Sequence, residues 1–277
     1  MTTPQDLVLM AVHAHPGPES TNTGGVLAHY ARQGVRTVLV TCTNGEFGKG
    51  AGGVEPGEAG HDPAAVAVTR VAELKTACGH LGVNDLELLG YHDSGMPEWE
   101  LRHEPDVFCN IPTDTAASRL AELIDHFRPQ VMVTYDPDAP YRHPDQLHTA
   151  RVTHRAIDIA GIPVRRYNVA MGTTYWRHIR NAVLRAGLPD PFPDPELSAE
   201  LAHIEGRITT TIDVSEVLAR KQAAVLSHAG QVGGTWIEKL YAAELPAELG
   251  KETYIRTHGA TAAPAAERDL FAGIRAV

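Results

Sequence analysis

The first half of the chain alternates between short apolar runs and amphipathic stretches. Four runs have the length and the Val and Leu content of buried strands: LVLMAV at 7–12, RTVLVTCT at 36–43, LELLGY at 86–91 and VMVTY at 131–135. Between them, apolar positions recur at helical spacing around 24–33, 64–81 and 116–127. This order predicts βαβ units, and therefore an α/β fold with a mostly parallel sheet and helices on both faces.

Polar residues cluster directly after the predicted strands and at one helix end. Four stretches carry them: HAHPGPE at 13–19, YHDSGM at 91–96, YRHPDQLH at 141–148 and SHAGQ at 227–231. The carboxyl ends of parallel strands meet at one edge of a sheet, where ligands bind. We therefore expect these stretches to surround one pocket for a small-molecule substrate.

The pattern changes in the last third of the chain. After about residue 177 it loosens into the Pro-rich segment LPDPFPDPELS at 188–198, and then strand and helix patterns resume. We interpret the chain as one domain, 1–277. In this interpretation a core of residues 1–177 carries a C-terminal extension, 178–277, that closes over the rim of the pocket.

Composition argues against several classes of partner. The formal net charge is −10, and the Lys and Arg residues are scattered, which argues against nucleic acid. No uninterrupted run reaches the ~18 apolar residues of a membrane span. The cysteines Cys42, Cys78 and Cys109 lie far apart, as is typical of free thiols in the reducing cytoplasm. We expect a cytoplasmic protein without nucleic-acid or membrane contacts, and the sequence leaves a homo-oligomer open.

The stretch YRHPDQLH offers the clearest chemistry. A histidine and a carboxylate, His143 and Asp145, can transfer or hold protons, and the hydroxyl of Tyr141 can stabilise an oxyanion. We predict these three residues as the catalytic group. A simpler role stays open for Asp145, which could cap the helix that follows.

Six motifs, in this order, resemble the LmbE-like or phosphatidylinositol-glycan class L N-deacetylases, a family that includes a deacetylase and an amidase of mycothiol metabolism. The motifs are A-H-P-x-x-E at 14–19, TCTNGE at 41–46, R-x-x-E-L at 70–74, YHDSGM at 91–96, HPD at 143–145 and H-A-x-Q at 228–231. The resemblance covers most of the chain. It implies a Rossmann-like fold and a zinc hydrolase that cleaves an acetamide or related amide from an amino sugar.

The resemblance also implies roles for residues of the pocket. Arg70 would contact a polar ligand, and Asp93 and Glu19 would brace the site or bind hydroxyl groups. With His15 and His228 they form the predicted substrate-binding set. Simpler interpretations stay open, with Arg70 in an exposed ion pair on its helix and Asp93 as a turn residue.

The sequence departs from the family where the metal would bind. The family loop reads A-H-P-D-D-E, in which the His and the second Asp bind zinc and the first Asp is the general base. Here the matching residues are His15, Pro18 and Gly17, and the third zinc ligand of the family is replaced by Gln146. A catalytic zinc site generally has three protein ligands, so we predict that no metal or other cofactor is bound.

Three hypotheses follow. The first is a divergent enzyme that acts on an amino-sugar-like or thiol-conjugate-like small molecule by metal-independent acid–base chemistry. The second is a zinc-dependent N-deacetylase or amidase with rearranged ligands, for which His13, Glu19 and His148 are candidates beside His15. The third is a ligand-binding protein without turnover. We favour the first.

Overall fold

The computed structural model describes residues 6–139, 143–190, 197–243, 245, 247–258 and 267–274. Within these ranges seven strands form one sheet: β1 (Val8–His13), β2 (Arg36–Thr43), β3 (Asp85–Tyr91), β4 (Val131–Thr134), β5 (Arg165–Val169), β6 (Thr210–Asp213) and β7 (Lys251–His258). Their order is β3-β2-β1-β4-β5-β7-β6. Strands β1 to β5 pair with one another in parallel, and β7 is antiparallel to both β5 and β6. The predicted α/β fold with a mostly parallel sheet is confirmed.

The same ranges contain ten α-helices: α1 (Pro18–Asn22), α2 (Gly24–Arg32), α3 (Pro63–Leu81), α4 (Thr113–Phe127), α5 (Pro144–Ala160), α6 (Thr173–Arg185), α7 (Leu197–Arg207), α8 (Leu218–Ser227), α9 (Ala229–Val232) and α10 (Trp236–Ala242). Local sequence sets their ends. Asp62 accepts two backbone N–H groups at the start of α3, and the left-handed Gly82 ends that helix. None of the helices described is long and apolar enough to cross a bilayer.

The central strands are buried on both faces. Leu9 of β1 packs with Leu27 of α2 in one apolar layer, to which α3 and α8 also contribute. The next residue, Met10, packs in the opposite layer with Leu120 of α4, together with residues of α5. Because side chains alternate between the faces of a strand, burial on both sides explains the nearly continuous apolar runs in the sequence.

The predicted extension contributes to the sheet as well as to the rim. Strands β6 and β7 continue the sheet beyond β5. Helix α8 packs against α2 and α3, and His228, which follows α8, reaches Glu19 in α1. Part of the extension therefore belongs to the central sheet, and the division of the chain at residue 177 stays a prediction.

Candidate active site

Four predicted site residues meet beyond the carboxyl ends of β1, β3 and β4. The rings of His15 and His143 lie edge to face, with their centroids 4.9 Å apart. Asp93 and Asp145 lie beside His143, and one polar atom from each of these three lies within 4.8 Å of the other two. All three are buried. Tyr141, the third predicted catalytic residue, lies outside the described residues.

His143 directly precedes α5 and is its N-cap residue. Its Nδ1 accepts the backbone N–H of Asp145 at 3.2 Å, so His143 caps the helix and the predicted capping role of Asp145 is wrong. Because Nδ1 accepts a hydrogen bond, the neutral ring is assigned its proton on Nε2. Burial lowers the pKa of His143, against the effect of Asp93, and the charge of Arg70 lowers it further. At neutral pH the ring is therefore an uncharged donor through Nε2.

The carboxyl group of Asp145 is buried against the loop that follows β3. Its Oδ2 accepts the backbone N–H of Ser94 at 3.0 Å, and its Oδ1 accepts the Ser94 hydroxyl. Burial and the neighbouring Asp93, to which it is hydrogen-bonded, raise the pKa of Asp145 well above its usual value. The raised pKa of Asp145 favours the protonated form of its carboxyl group.

Asp93 is a turn residue, as the simpler interpretation of the sequence expected. Its Oδ1 accepts the backbone N–H of Gly95 at 2.8 Å and so closes a turn in the YHDSGM stretch. The turn holds Asp93 beside Asp145 and gives Ser94 its position against the same carboxyl group. Contact of Asp93 with a substrate stays a prediction.

His13 belongs to a chain of buried hydrogen bonds that holds the loop after β1. Ala14 N–H donates to the Tyr135 hydroxyl at 3.0 Å, and that hydroxyl lies 3.2 Å from Nδ1 of His13. Nε2 of His13 lies 2.8 Å from the Thr23 hydroxyl. Burial lowers the pKa of His13 to about 4, against the opposing charge of Glu19. Both ring nitrogens are engaged within the fold, which disfavours His13 as a zinc ligand.

The three zinc-ligand positions of the family do not fit a zinc ion in this chain. Pro18, the first residue of α1, offers no side-chain donor, and Gly17, at the position of the family's general base, has no side chain either. Gln146, in the first turn of α5, offers a neutral amide. His15 is the one imidazole or carboxylate at these positions, whereas catalytic zinc generally takes three protein ligands. His148, an alternative candidate, packs its ring against an aromatic ring of the core.

Arg70 forms hydrogen bonds to two loops at the edge of the site. Its side chain is buried, so its interpretation as part of an exposed ion pair is wrong. The guanidinium donates to the carbonyl oxygen of Gly45 at 2.6 Å and to that of Pro16. Burial lowers the pKa of Arg70, against the effect of nearby carboxylates. Burial also lowers the pKa of His15 well below its usual value, with further lowering from His143 and Arg70. The contact of Arg70 with a ligand stays a prediction.

Glu19 and His228 bind each other at the wall of the site. Nε2 of His228 lies 2.6 Å from Oε1 of Glu19, and both side chains are buried. The Ser20 hydroxyl donates to the same Oε1 at 2.6 Å, and Gly17 N–H donates to Oε2 at 2.7 Å. These contacts engage both carboxylate oxygens. Direct binding of a substrate by Glu19 or His228 therefore stays a prediction.

Three hydroxyl residues that hold the site were not singled out from the sequence. Ser94 lies within the YHDSGM stretch, and Tyr135 ends the apolar run VMVTY. A buried hydroxyl group near the end of a strand needs a hydrogen-bond partner, so both residues could have been predicted from the sequence to hydrogen-bond within the site. Thr23 could not have been predicted in this way, because its partner His13 is brought close only by the turn into α2.

A mostly parallel sheet with imidazole and carboxyl groups at its carboxyl edge is the organisation expected from the sequence motifs. Residues 10–157 match the PIG-L family, described as GlcNAc-PI de-N-acetylase. The chain belongs to this family, and the resemblance seen in its motifs is confirmed.

Similar proteins match nearly the whole chain. A 1D-myo-inositol 2-acetamido-2-deoxy-alpha-D-glucopyranoside deacetylase of Salinispora arenicola is 37% identical over 297 residues, which cover 99% of this chain and 94% of the relative. Among solved structures, the N,N'-diacetylchitobiose deacetylase of Pyrococcus horikoshii matches with a TM-score of 0.59 and 16% identity, over 90% of this chain and 83% of its own. The 4-carboxy-2-hydroxymuconate hydratase of Pseudomonas putida matches with a TM-score of 0.62 and 18% identity, over 94% of this chain and 100% of its own. The two structures share the fold.

Proposed function

We propose that this chain acts on an amino sugar, or on a thiol conjugate of one, by acid–base chemistry that does not use a metal ion. The substrate class is supported by the Salinispora relative, which is named as a deacetylase of an acetamido sugar linked to inositol and is 37% identical over 99% of this chain. The chemistry is supported by the residues that remain at the rim.

The observation that carries the proposal is the placement of His143. Its ring is fixed at the start of α5 by the N–H of Asp145 and lies 4.9 Å from the ring of His15. A neutral imidazole with its proton on Nε2 can donate a hydrogen bond to a carbonyl oxygen and stabilise the negative charge that develops there. Asp145 lies beside this ring, and its raised pKa favours a protonated carboxyl group that can supply a proton to the reaction.

This chemistry also limits the reaction. Transfer of a proton by one or two side chains typically contributes about 10²- to 10⁴-fold in rate. That contribution suits acyl transfer or elimination from a reactive substrate better than hydrolysis of an unactivated amide. We therefore expect activity on an activated acyl or thiol conjugate of an amino sugar to exceed activity on a simple acetamide.

The test compares two histidines of the same helix region. His143→Ala should lower kcat by roughly 10²-fold or more, measured with an amino-sugar acyl conjugate in the presence of EDTA. His154→Ala, whose ring contacts Asn168 instead of the site residues, should leave kcat close to that of the unmodified protein. Equal activity of the two variants would contradict the proposal, and binding of the conjugate without turnover by the unmodified protein would favour the ligand-binding hypothesis.

A second candidate function is a metal-dependent amino-sugar deacetylase with rearranged ligands. The observation in its favour is that Asp93, His143 and Asp145 are buried and each place a potential ligand atom within 4.8 Å of the others. Carboxylate and imidazole groups are suitable ligands for zinc, which would supply a polarised carbonyl or an activated water. We rank it second because both oxygens of Asp145 already accept hydrogen bonds from Ser94. Activity lost with EDTA and restored by zinc would reverse this ranking.

A further inference from the structure

The peptide group between Pro16 and Gly17 is held from both ends by charged side chains. The guanidinium of Arg70 donates to the carbonyl oxygen of Pro16. The N–H of Gly17 donates to Oε2 of Glu19 at 2.7 Å. Hydrogen bonds to charged groups are about twice as strong as those between neutral groups. Rotation of this peptide group would break one or both of them.

The backbone at Gly17 depends on such restraint. Its φ of 118° lies in a region that residues with side chains rarely adopt, and glycine populates many other conformations at similar cost. A Cβ at this position would meet only Arg70, at 3.9 Å, so it is the φ angle rather than crowding that requires glycine here. The two hydrogen bonds of the Pro16–Gly17 peptide group favour this conformation, two residues after the predicted site residue His15.

Glu19 is in turn held by a residue far away in the sequence. Nε2 of His228 lies 2.6 Å from Oε1 of Glu19, and the Ser20 hydroxyl donates to the same oxygen. Burial alone would raise the pKa of Glu19, but the interactions with His228 and Ser20 outweigh it and lower the pKa to about 2. Glu19 is thus a buried anion, and removal of its partner leaves that charge uncompensated.

The C-terminal part of the chain also makes an ion pair, between Lys221 and Glu252, that serves as a comparison. Lys221, seven residues before His228, donates to Glu252 at 2.7 Å. Glu252 also accepts the backbone N–H groups of Gly25 and Val26 at the start of α2. Both contacts are buried and both involve residues of α8 or its end, but only the contact of His228 with Glu19 leads to the Gly17 peptide.

We propose that His228 is a positioning residue that acts through Glu19 to hold the Pro16–Gly17 peptide, and thereby sets how His15 faces His143. That His228 positions the Pro16–Gly17 peptide does not depend on the proposed function. The expected effect of this positioning on turnover does rest on the proposed function. His228 then links the C-terminal part of the chain to the geometry of the site without touching the substrate.

Nuclear magnetic resonance of the glycine-labelled full chain tests the positioning directly. In the unmodified protein, the Gly17 amide proton should resonate downfield of most other glycine amides and exchange slowly with solvent, because it donates to a carboxylate. In His228→Gln, which loses the imidazole but retains an N–H donor, the Gly17 signal should move upfield and exchange faster. Lys221→Gln breaks the comparison ion pair, and it should lower the melting temperature while leaving the Gly17 signal in place.

Three results would overturn the proposal. They are an ordinary Gly17 signal in the unmodified protein, an unchanged signal in His228→Gln, and an equal shift in Lys221→Gln. If His228→Gln does not fold, Ser20→Ala removes one hydrogen bond from the same carboxylate oxygen and should shift the Gly17 signal in the same direction; no shift would overturn the proposal.

Kinetics separate this proposal from the proposed function. With an amino-sugar conjugate that the unmodified protein converts, His228→Gln should lower kcat/KM and Lys221→Gln should not. A Gly17 shift in a protein that converts no such conjugate would support the positioning and contradict the proposed function. Unchanged kcat/KM in His228→Gln, in a protein that does convert it, would contradict the link from the peptide to the site.

Discussion

The loop after β1, residues 13–20, and the start of α5, residues 143–145, border the same site but use their polar groups differently. In the first segment both ring nitrogens of His13 and both carboxylate oxygens of Glu19 are engaged by other groups of the protein. In the second, burial lowers the pKa of His143 and raises the pKa of the neighbouring Asp145, so the uncharged form of each group is favoured. The polar groups of the first segment hold the loop in its conformation, and we propose the second segment for proton transfer.

Under the proposed function, the difference explains how the family motif persists in a chain that uses different chemistry. Gly17 and Pro18 stand where the family has two Asp residues, and the remaining polar groups of the loop hydrogen-bond to other groups of the protein, as Gly17 N–H does to Glu19. The H-P-D motif retains an imidazole and a carboxyl group in buried contact with a second carboxyl group. We therefore propose that the acid–base chemistry is carried out by His143 and Asp145, at the start of α5.

The largest expected effect is on turnover and separates the two segments. Asp145→Asn retains the size of the side chain but removes its ionisable carboxyl group, so under the proposed function kcat should fall by roughly 10²-fold or more. His15→Ala should raise KM more than it lowers kcat, because we place His15 in the substrate-binding set. Steady-state kinetics of both variants provide the test. A larger loss of kcat in His15→Ala would reverse the assignment of roles.

The next effect is on stability as a function of pH. Burial lowers the pKa of His13 to about 4 from an ordinary value of 6.5, so between these values the unfolded chain binds a proton that the folded chain does not. The stabilisation is complete above about pH 6.5, falls as the pH decreases to about 4, and amounts to about 3 kcal/mol for this group. Urea unfolding between pH 7 and pH 4 measures it.

His13→Gln is the control for that measurement, because it removes the titrating ring. Burial also lowers the pKa of His148 to about 4, with a further contribution from Arg151, so some pH dependence should remain. The slope of unfolding free energy against pH should therefore be smaller in His13→Gln than in the unmodified protein. An unchanged slope would contradict the neutral, engaged state of His13.

A smaller effect concerns the backbone of the first segment. Gly17→Ala should lower the free energy of unfolding by about 1–3 kcal/mol, because its φ of 118° is strained for any residue with a side chain. Gly79→Ala is the matched control, since Gly79 lies within α3 with open space around it, and it should stabilise the chain by about 0.5–1 kcal/mol. Chemical denaturation of both variants decides the matter. A neutral Gly17→Ala would mean that the loop relaxes without cost.

The sequence predicted the sheet, its flanking helices and the meeting of His15 with Asp93, His143 and Asp145, because strand ends and their loops follow from local hydrophobic pattern. It did not predict that His143 rather than Asp145 caps α5, since both residue types can accept a backbone N–H at a helix start. The sequence also could not show that Arg70 is buried and donates to two backbone carbonyl oxygens. Nor could it show that His228 contacts Glu19, which lies 209 residues away in the chain. Those contacts depend on how α3 and α8 pack together, which no local pattern encodes.

The zinc content of the purified protein tests the central claim most directly. After equilibration with zinc and removal of free metal, the unmodified protein should contain well below one equivalent, and His15→Ala should not change that value, because His15 lacks the two further ligands that the family supplies. One equivalent of tightly bound zinc that is lost in His15→Ala would contradict the account and restore the zinc hydrolase as the preferred interpretation.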